Sequence, residues 1–145
     1  MMADLAEGLV EQAPDALIFA DRGGIIRVWN SAAEFIFGHA ADEAIGQSLD
    51  IIIPERFRAA HWAGYDRALA SGTTKYQRQA MPTRSVRKDG TTIYVELTFA
   101  IVKDDAGVVV GATAQARDIT ERWTREREQR ARQHEPEQGV TTPAS

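Results

Sequence analysis

The sequence predicts an α+β fold: a five-stranded antiparallel sheet with short helices over one face and a flanking helix at each end. Three features carry this. Strand-forming runs fall into two groups, one before residue 30 and one after residue 75, with helix-forming segments between them. Strands within each group are linked by short glycine-containing turns, which make antiparallel hairpins. The last strand then gives way to a densely charged helical segment.

Each element has a local reason. Met2 to Gln12 is amphipathic, with Leu5, Leu9 and Val10 close to one face, suited to pack on its own domain or on a partner chain. Pro14-Asp15 breaks it. Ala16 to Ala20 is a strand, Asp21-Arg22-Gly23-Gly24 a turn, and Ile25 to Trp29 the second strand. Asn30-Ser31 caps a helix from Ala32 to Phe37, which Gly38 ends. Ala41 to Gly46 makes a short helix. Ile51-Ile52-Ile53-Pro54 leads into a longer one, Glu55 to Ser71, closed by Gly72. Tyr76 to Thr83 returns to strand, and Pro82 marks an edge or bulge there. Arg87-Lys88-Asp89-Gly90 is an Asp-Gly hairpin turn, with Gly90 supplying the positive φ. Ile93, Val95, Leu97 and Phe99 then alternate onto one face. Asp104 to Gly107 turns the chain again, and Val108 to Ala114 is the last strand.

Arg117-Asp118-Ile119-Thr120 leaves the sheet for a helix with Glu121–Arg125 and Glu128–Arg132 at the favourable four-residue spacing. After Ile119 and Trp123 no heptad continues, so the segment is a poor coiled coil. The expected divisions are an N-terminal helix (1–12), a domain (13–118), a charged helix (119–135) and a disordered tail (136–145) rich in Gln, Gly, Thr, Pro and Ser.

Composition narrows the function. The net charge of −4 argues against nucleic acid as main partner, because neutralising phosphates needs a basic surface. With no cysteine, disulfides, thiolate metal sites and cysteine-adduct photochemistry are excluded. No apolar run approaches membrane-spanning length and no signal peptide is visible, so a cytoplasmic protein without a membrane partner is expected. Gly23-Gly24 sits in a hairpin turn, not in a phosphate-cradling strand-to-helix loop. No nucleophile has a credible base and orienter, so an enzyme is not expected.

Several short segments together resemble the PAS domain family over about Leu9 to Trp123. They are Ala13-Pro14-Asp15-Ala16, Asp21 to Ile26, Trp29-Asn30-Ser31-Ala32-Ala33, Phe37-Gly38, Ile45 to Leu49, Arg87-Lys88-Asp89-Gly90 and Arg117-Asp118-Ile119-Thr120. Each is loose alone; their order and spacing are specific. The resemblance implies a sensory or interaction module, often a homodimer, with a small ligand held between sheet and central helices and an unknown downstream signalling protein. It further implies that Asp118 and Thr120 couple the last strand to the exit helix, although either residue also suits a plain helix cap.

The segment Ile53 to Tyr65 is most similar to haem-binding PAS oxygen sensors of the FixL type, in which the proximal histidine follows a Pro-Glu start on the long helix. His61 occupies that place. The resemblance therefore implies haem b, with redox state or a diatomic gas as signal. Met81 matches the place of a strand arginine in those sensors; its thioether is able to ligate iron, and His/Met ligation favours a six-coordinate centre. A related direct sensor uses a methionine two residues earlier, where this chain has Gln79. Leu97 and Phe99 match apolar distal positions, Arg67 and Lys75 suit haem propionates, and Tyr76 joins the cofactor-facing set. Bland roles stand beside these: His61 as a hydrogen-bonded structural residue, Met81 as core filler, Trp62 and Tyr65 as packing, Arg67 and Lys75 as solvated charges, His39 as a surface residue. Two other readings remain open here, a ligand-free dimerisation module and a sensor of FAD or a metabolite.

Overall fold

A computed structural model describes residues 2–74 and 80–138. The elements run α1 (Met2–Glu11), β1 (Ala16–Asp21), β2 (Ile26–Trp29), α2 (Ser31–Phe37), α3 (Ala41–Ala44), two 3₁₀ turns (Leu49–Ile52 and Glu55–Phe57), α4 (Arg58–Ser71), β3 (Met81–Val86), β4 (Thr92–Lys103), β5 (Val109–Asp118) and α5 (Thr120–Gln138). All five strands form one antiparallel sheet in the order β2-β1-β5-β4-β3. This is the expected α+β architecture, with β5 in the middle, paired on one side to β1 from the far end of the sequence and on the other to β4.

The two hairpin turns between β3, β4 and β5 close as their residues dictate. Asp89 Oδ1 accepts the Thr91 N–H at 2.9 Å and Gly90 has φ 88°. In the second turn Asp104 Oδ1 accepts from Ala106 and Val108. Beyond the turns the structure is more extended than local patterning suggests: β4 continues past Phe99 to Lys103 and β5 past Ala114 to Asp118, because the two strands pair with each other along that length. The long helix opens as the 3₁₀ turn Glu55–Phe57 directly after Pro54, and becomes α-helical only at Arg58. At the other end, α5 runs to Gln138.

Register decides which side chains face the helices. Opposed residues of an antiparallel pair share a face. Ala16 opposes Ala116, Ile18 opposes Ala114 and Ala20 opposes Ala112, and β4 adds Leu97, Phe99 and Ile101 opposite the same three β5 alanines. The middle of the inner face is thus paved with small residues. Toward β2 the space above it is filled by Ile26, Trp29, Phe37 and Ala33, all buried. Toward β3, under α4, Tyr65 and Leu69 are buried but a cavity remains beside them.

Asn30 ties this framework together. It is 1 % exposed. Its Oδ1 caps α2 by accepting from Ala33 N at 3.0 Å and also accepts from Leu17 N at 2.9 Å. Its amide donates to the carbonyls of Val10 (2.8 Å) and Asp15 (3.1 Å).

Candidate functional site

The unfilled half of the sandwich is a cavity of about 510 Å³, in the range of small-molecule sites. It is lined by Ile18, Ile52, Ile53, Leu97, Ala114 and other apolar groups, with His61 and Tyr65 on the α4 side. A second chamber of about 590 Å³ adjoins it, and His61, Tyr65, Phe99 and Ala112 line both.

His61 lies on the second turn of α4 within an aromatic cluster. Its ring stacks on Tyr65 (5.8 Å between centroids, 30°) and meets Trp62 edge-on at 4.6 Å. Nδ1 is buried and has no hydrogen-bond partner. Burial pushes the His61 pKa below the usual imidazole value, opposed by the Asp50 carboxylate. Burial thus favours the neutral ring, the form that ligates a metal.

Its neighbours are fixed from the sheet side. The Tyr65 hydroxyl donates to the Asp21 carbonyl at 2.6 Å, and burial pushes its pKa up to about 12, so it stays a protonated donor. Trp62 Nε1 donates to Asp50 Oδ1 at 2.7 Å. The indole lies so close over Gly24 that a Cβ there would be 2.2 Å from a ring carbon, and Gly24 also has φ 79°. The Gly-Gly turn therefore serves packing against α4 as well as the hairpin.

The structure gathers His61, Leu97 and Phe99 around the first chamber and sets Arg67 on the second. Met81 is the first residue of β3, opposite Leu97, and stands outside the lining of both chambers. Lys75, Tyr76 and Gln79 lie outside the described residues. Asp118 and Thr120 meet at the start of α5: Asp118 Oδ1 accepts from Thr120 N (2.8 Å) and from the Thr120 hydroxyl (2.6 Å), and Thr120 Oγ1 accepts from Tyr94 N at 2.9 Å. The pair both caps the helix and ties it to β4.

Three features lie outside the reading of the sequence. Tyr65, assigned there to packing, is a hydrogen-bonded wall between the chambers. His39, expected at the surface, is half-buried; its carbonyl accepts from Trp29 Nε1 at 2.9 Å and its Nε2 is buried without a partner. Arg84 lines the first cavity with Phe57 and Tyr94. An arginine inside Thr-Arg-Ser-Val-Arg-Lys looks like ordinary edge-strand charge, so only the tertiary fold reveals it.

Among the described residues no group of three or more His, Cys, Asp or Glu is placed to hold a bare metal ion. Haem asks less of the protein, since its iron needs only axial atoms and a closed apolar pocket. An imidazole with an unpartnered buried nitrogen beside an apolar cavity of ligand size fits that demand.

A family model described as the PAS fold matches residues 10–124. The chain is 32% identical over 113 residues to the sensor protein FixL of Bradyrhizobium diazoefficiens, covering 78% of this chain and 22% of that protein. It is 26% identical over 111 residues to the oxygen sensor protein DosP of Escherichia coli, covering 77% and 14% respectively. The chain thus spans less than a quarter of the length of either relative. Among solved structures, the PAS domain of a protein from Colwellia psychrerythraea is similar with a TM-score of 0.72 and 22% identity, over 83% of this chain and 99% of that one. At that identity the likeness shows the fold alone.

Proposed function

Since the chain belongs to the PAS family, we propose that it is a sensory domain that holds haem b through His61 and passes a change of redox state or diatomic-gas binding to α5. The observation that carries this reading is that His61, whose Nδ1 is buried without a partner among the described residues, lines an apolar cavity of ligand size. The similarity to an oxygen sensor and to FixL supports the same chemistry.

Haem, when bound, supplies an iron whose axial ligation responds to oxidation state and to small gases. The chain's own residues do the rest. His61 offers a neutral nitrogen because burial disfavours its cation. Tyr65 holds the imidazole plane by stacking, and is itself anchored to the β1 backbone at Asp21. Leu97 and Phe99 keep water from the sheet side of the cavity. Movement of β4 reaches α5 through Tyr94, which binds Thr120 and stacks on Trp123. A ligand shifts such an equilibrium only as far as it prefers one arrangement over the other.

The proposed role is sensory and not catalytic, in the cytoplasm; no helix among the described residues is long and apolar enough to cross a membrane. A second copy of the chain is the proposed partner for the exposed Leu5 and Leu9 of α1, a contact that sedimentation velocity measures.

Hemin titration tests the haem assignment. The purified wild type is expected to develop a sharp Soret band with one equivalent of hemin, and His61→Ala to lose it while keeping the wild-type circular dichroism. A wild-type spectrum indistinguishable from free hemin would exclude haem as the ligand.

A further inference from the structure

We propose that Arg84 is an anion-recognition residue at the free edge of the sheet, where it takes the carboxylate of an amphipathic organic acid whose apolar body occupies the cavity. Haem carries carboxylates too. In that case the inference rests on the haem reading and assigns a propionate; with a free acid it holds without haem.

β3 is the edge strand, and Arg84 opposes Tyr94 across the β3–β4 register. The guanidinium carbon lies 5.5 Å from the Tyr94 ring centroid and 5.9 Å from that of Phe57. Phe57 comes from the 3₁₀ turn before α4. Arg84 and Tyr94 belong to the sheet face turned away from Val95 and Leu97, and the cation lies at the open edge, where it reaches Phe57 of the helical layer; all three residues border the cavity. Two aromatic faces hold the guanidinium in place, and its N–H fork has no hydrogen-bond acceptor among the described residues.

Several basic side chains at the sheet and its turns have a carboxylate partner, and among the described residues Arg84 does not. Arg27 pairs with Asp21, Lys88 with Glu43, Arg117 with Asp15 and Arg122 with Glu96. Among the described residues no carboxylate pairs with Arg84, which is half-buried. A second unsatisfied donor shares the Tyr94 contact: Trp123 stacks on Tyr94 at 5.0 Å, borders the cavity, and has its indole Nε1 buried without a partner among the described residues. A planar cationic fork with a neutral N–H donor nearby suits a carboxylate, which accepts from both. The remainder of the wall, Ile52, Ile53 and Leu97 among others, is apolar. A single anionic head on a hydrocarbon body matches this polarity, whereas a polyanion would have to leave its other charges unsolvated.

Octanoate and 1-octanol share a hydrocarbon tail and differ in the head. Calorimetric titration of both into the full chain, free of haem, is the test for a free acid. Wild type is expected to bind octanoate roughly tenfold or more tightly than octanol, as a charge-assisted hydrogen bond supplies. Arg84→Met should remove that preference and leave octanol unchanged. Arg84→Gln, which keeps a polar stem, should do the same and guards against misfolding of the first variant. Hemin titration of the same variants covers the other source: a weaker hemin affinity in both variants, with no octanoate binding by wild type, assigns the carboxylate to the macrocycle. Equal affinity of wild type for octanoate and octanol, together with unchanged hemin affinity in both variants, would overturn the proposal. Failure of wild type to bind hemin leaves the octanoate comparison intact, so the two readings fail separately.

Discussion

At the scale of single residues, the polar side chains inside this domain do more than the apolar ones to define it. Asn30 satisfies two backbone N–H groups and two carbonyls at once, drawn from α1, the segment after it, β1 and α2. Removing one side chain therefore strands four backbone groups, one of them, the Ala33 N–H, in a buried bond and the other three in part-buried ones. Asn30→Ala is expected to lower the unfolding free energy by about 3 kcal/mol, more than a lost helix cap alone would cost. Denaturant titration measures this, and a loss no larger than that of an exposed cap would mean that water replaces the other bonds. His61 works in the opposite sense. Its unpartnered nitrogen is a local cost in the free protein, and such costs cluster where a ligand is to be bound. The sequence marks both residues, but in different ways. Asn30 is visible as a cap from Asn-Ser before an apolar helix, while its bonds to Val10 and Leu17 depend on long-range packing. His61 is visible only through family resemblance, because a lone histidine on a helix has no local signature of a ligand.

At the scale of elements, the exit helix is the least anchored piece that still touches the cavity. α5 is mostly exposed along its charged length. Its first turn is held by Thr120 and Asp118, by the Ile119 N–H donating to the Tyr94 carbonyl at 2.8 Å, and by Trp123 on Tyr94. Arg122 adds an exposed pair with Glu96, which contributes little. Thr120→Val keeps the shape and deletes the hydroxyl bonds; Trp123→Ala deletes the stack, worth about 1 kcal/mol beyond its buried area. Both are expected to speed amide hydrogen exchange in residues 120–133 while β4 and β5 keep their protection. Unchanged exchange in α5 would show that neither contact holds it. The hairpins and α2 were legible because Asp-Gly, Asn-Ser and Gly38 act within a few residues of themselves. Strand lengths and order were less so. The pairing of β1 with β5 joins residues about a hundred positions apart in the chain, and β5 extends to Asp118 only because β4 lies beside it. Arg84 escaped for the same reason: its meaning comes from Phe57, an element on the other layer.

At the scale of the whole molecule, the core is built unevenly, and that asymmetry is what the proposed function would use. One half is packed with Ile26, Trp29 and Phe37 against β1 and β2. In the other half α4 faces a row of alanines across an apolar cavity of about 510 Å³. A void of that size forfeits dispersion contacts that a filled core would have. Under the proposed function, stability there is given up for ligand space, a trade expected of binding sites. Ala114 tests the trade directly. It lies on the inner face of β5, opposite Ile18 and Phe99, and lines the cavity. Ala114→Leu adds three carbons into unfilled space without pressing on backbone. Each carbon buried from water is worth about 0.8 kcal/mol, so the variant is expected to gain up to about 2 kcal/mol in unfolding free energy. In the same measurement series it should bind neither hemin nor octanoate, because the added side chain takes their volume. Gain of stability with loss of both ligands is the signature of a cavity kept open by small residues. A variant that instead loses stability, as an overpacked core does, would mean that α4 closes onto the sheet in solution and that the space is made only when a ligand enters.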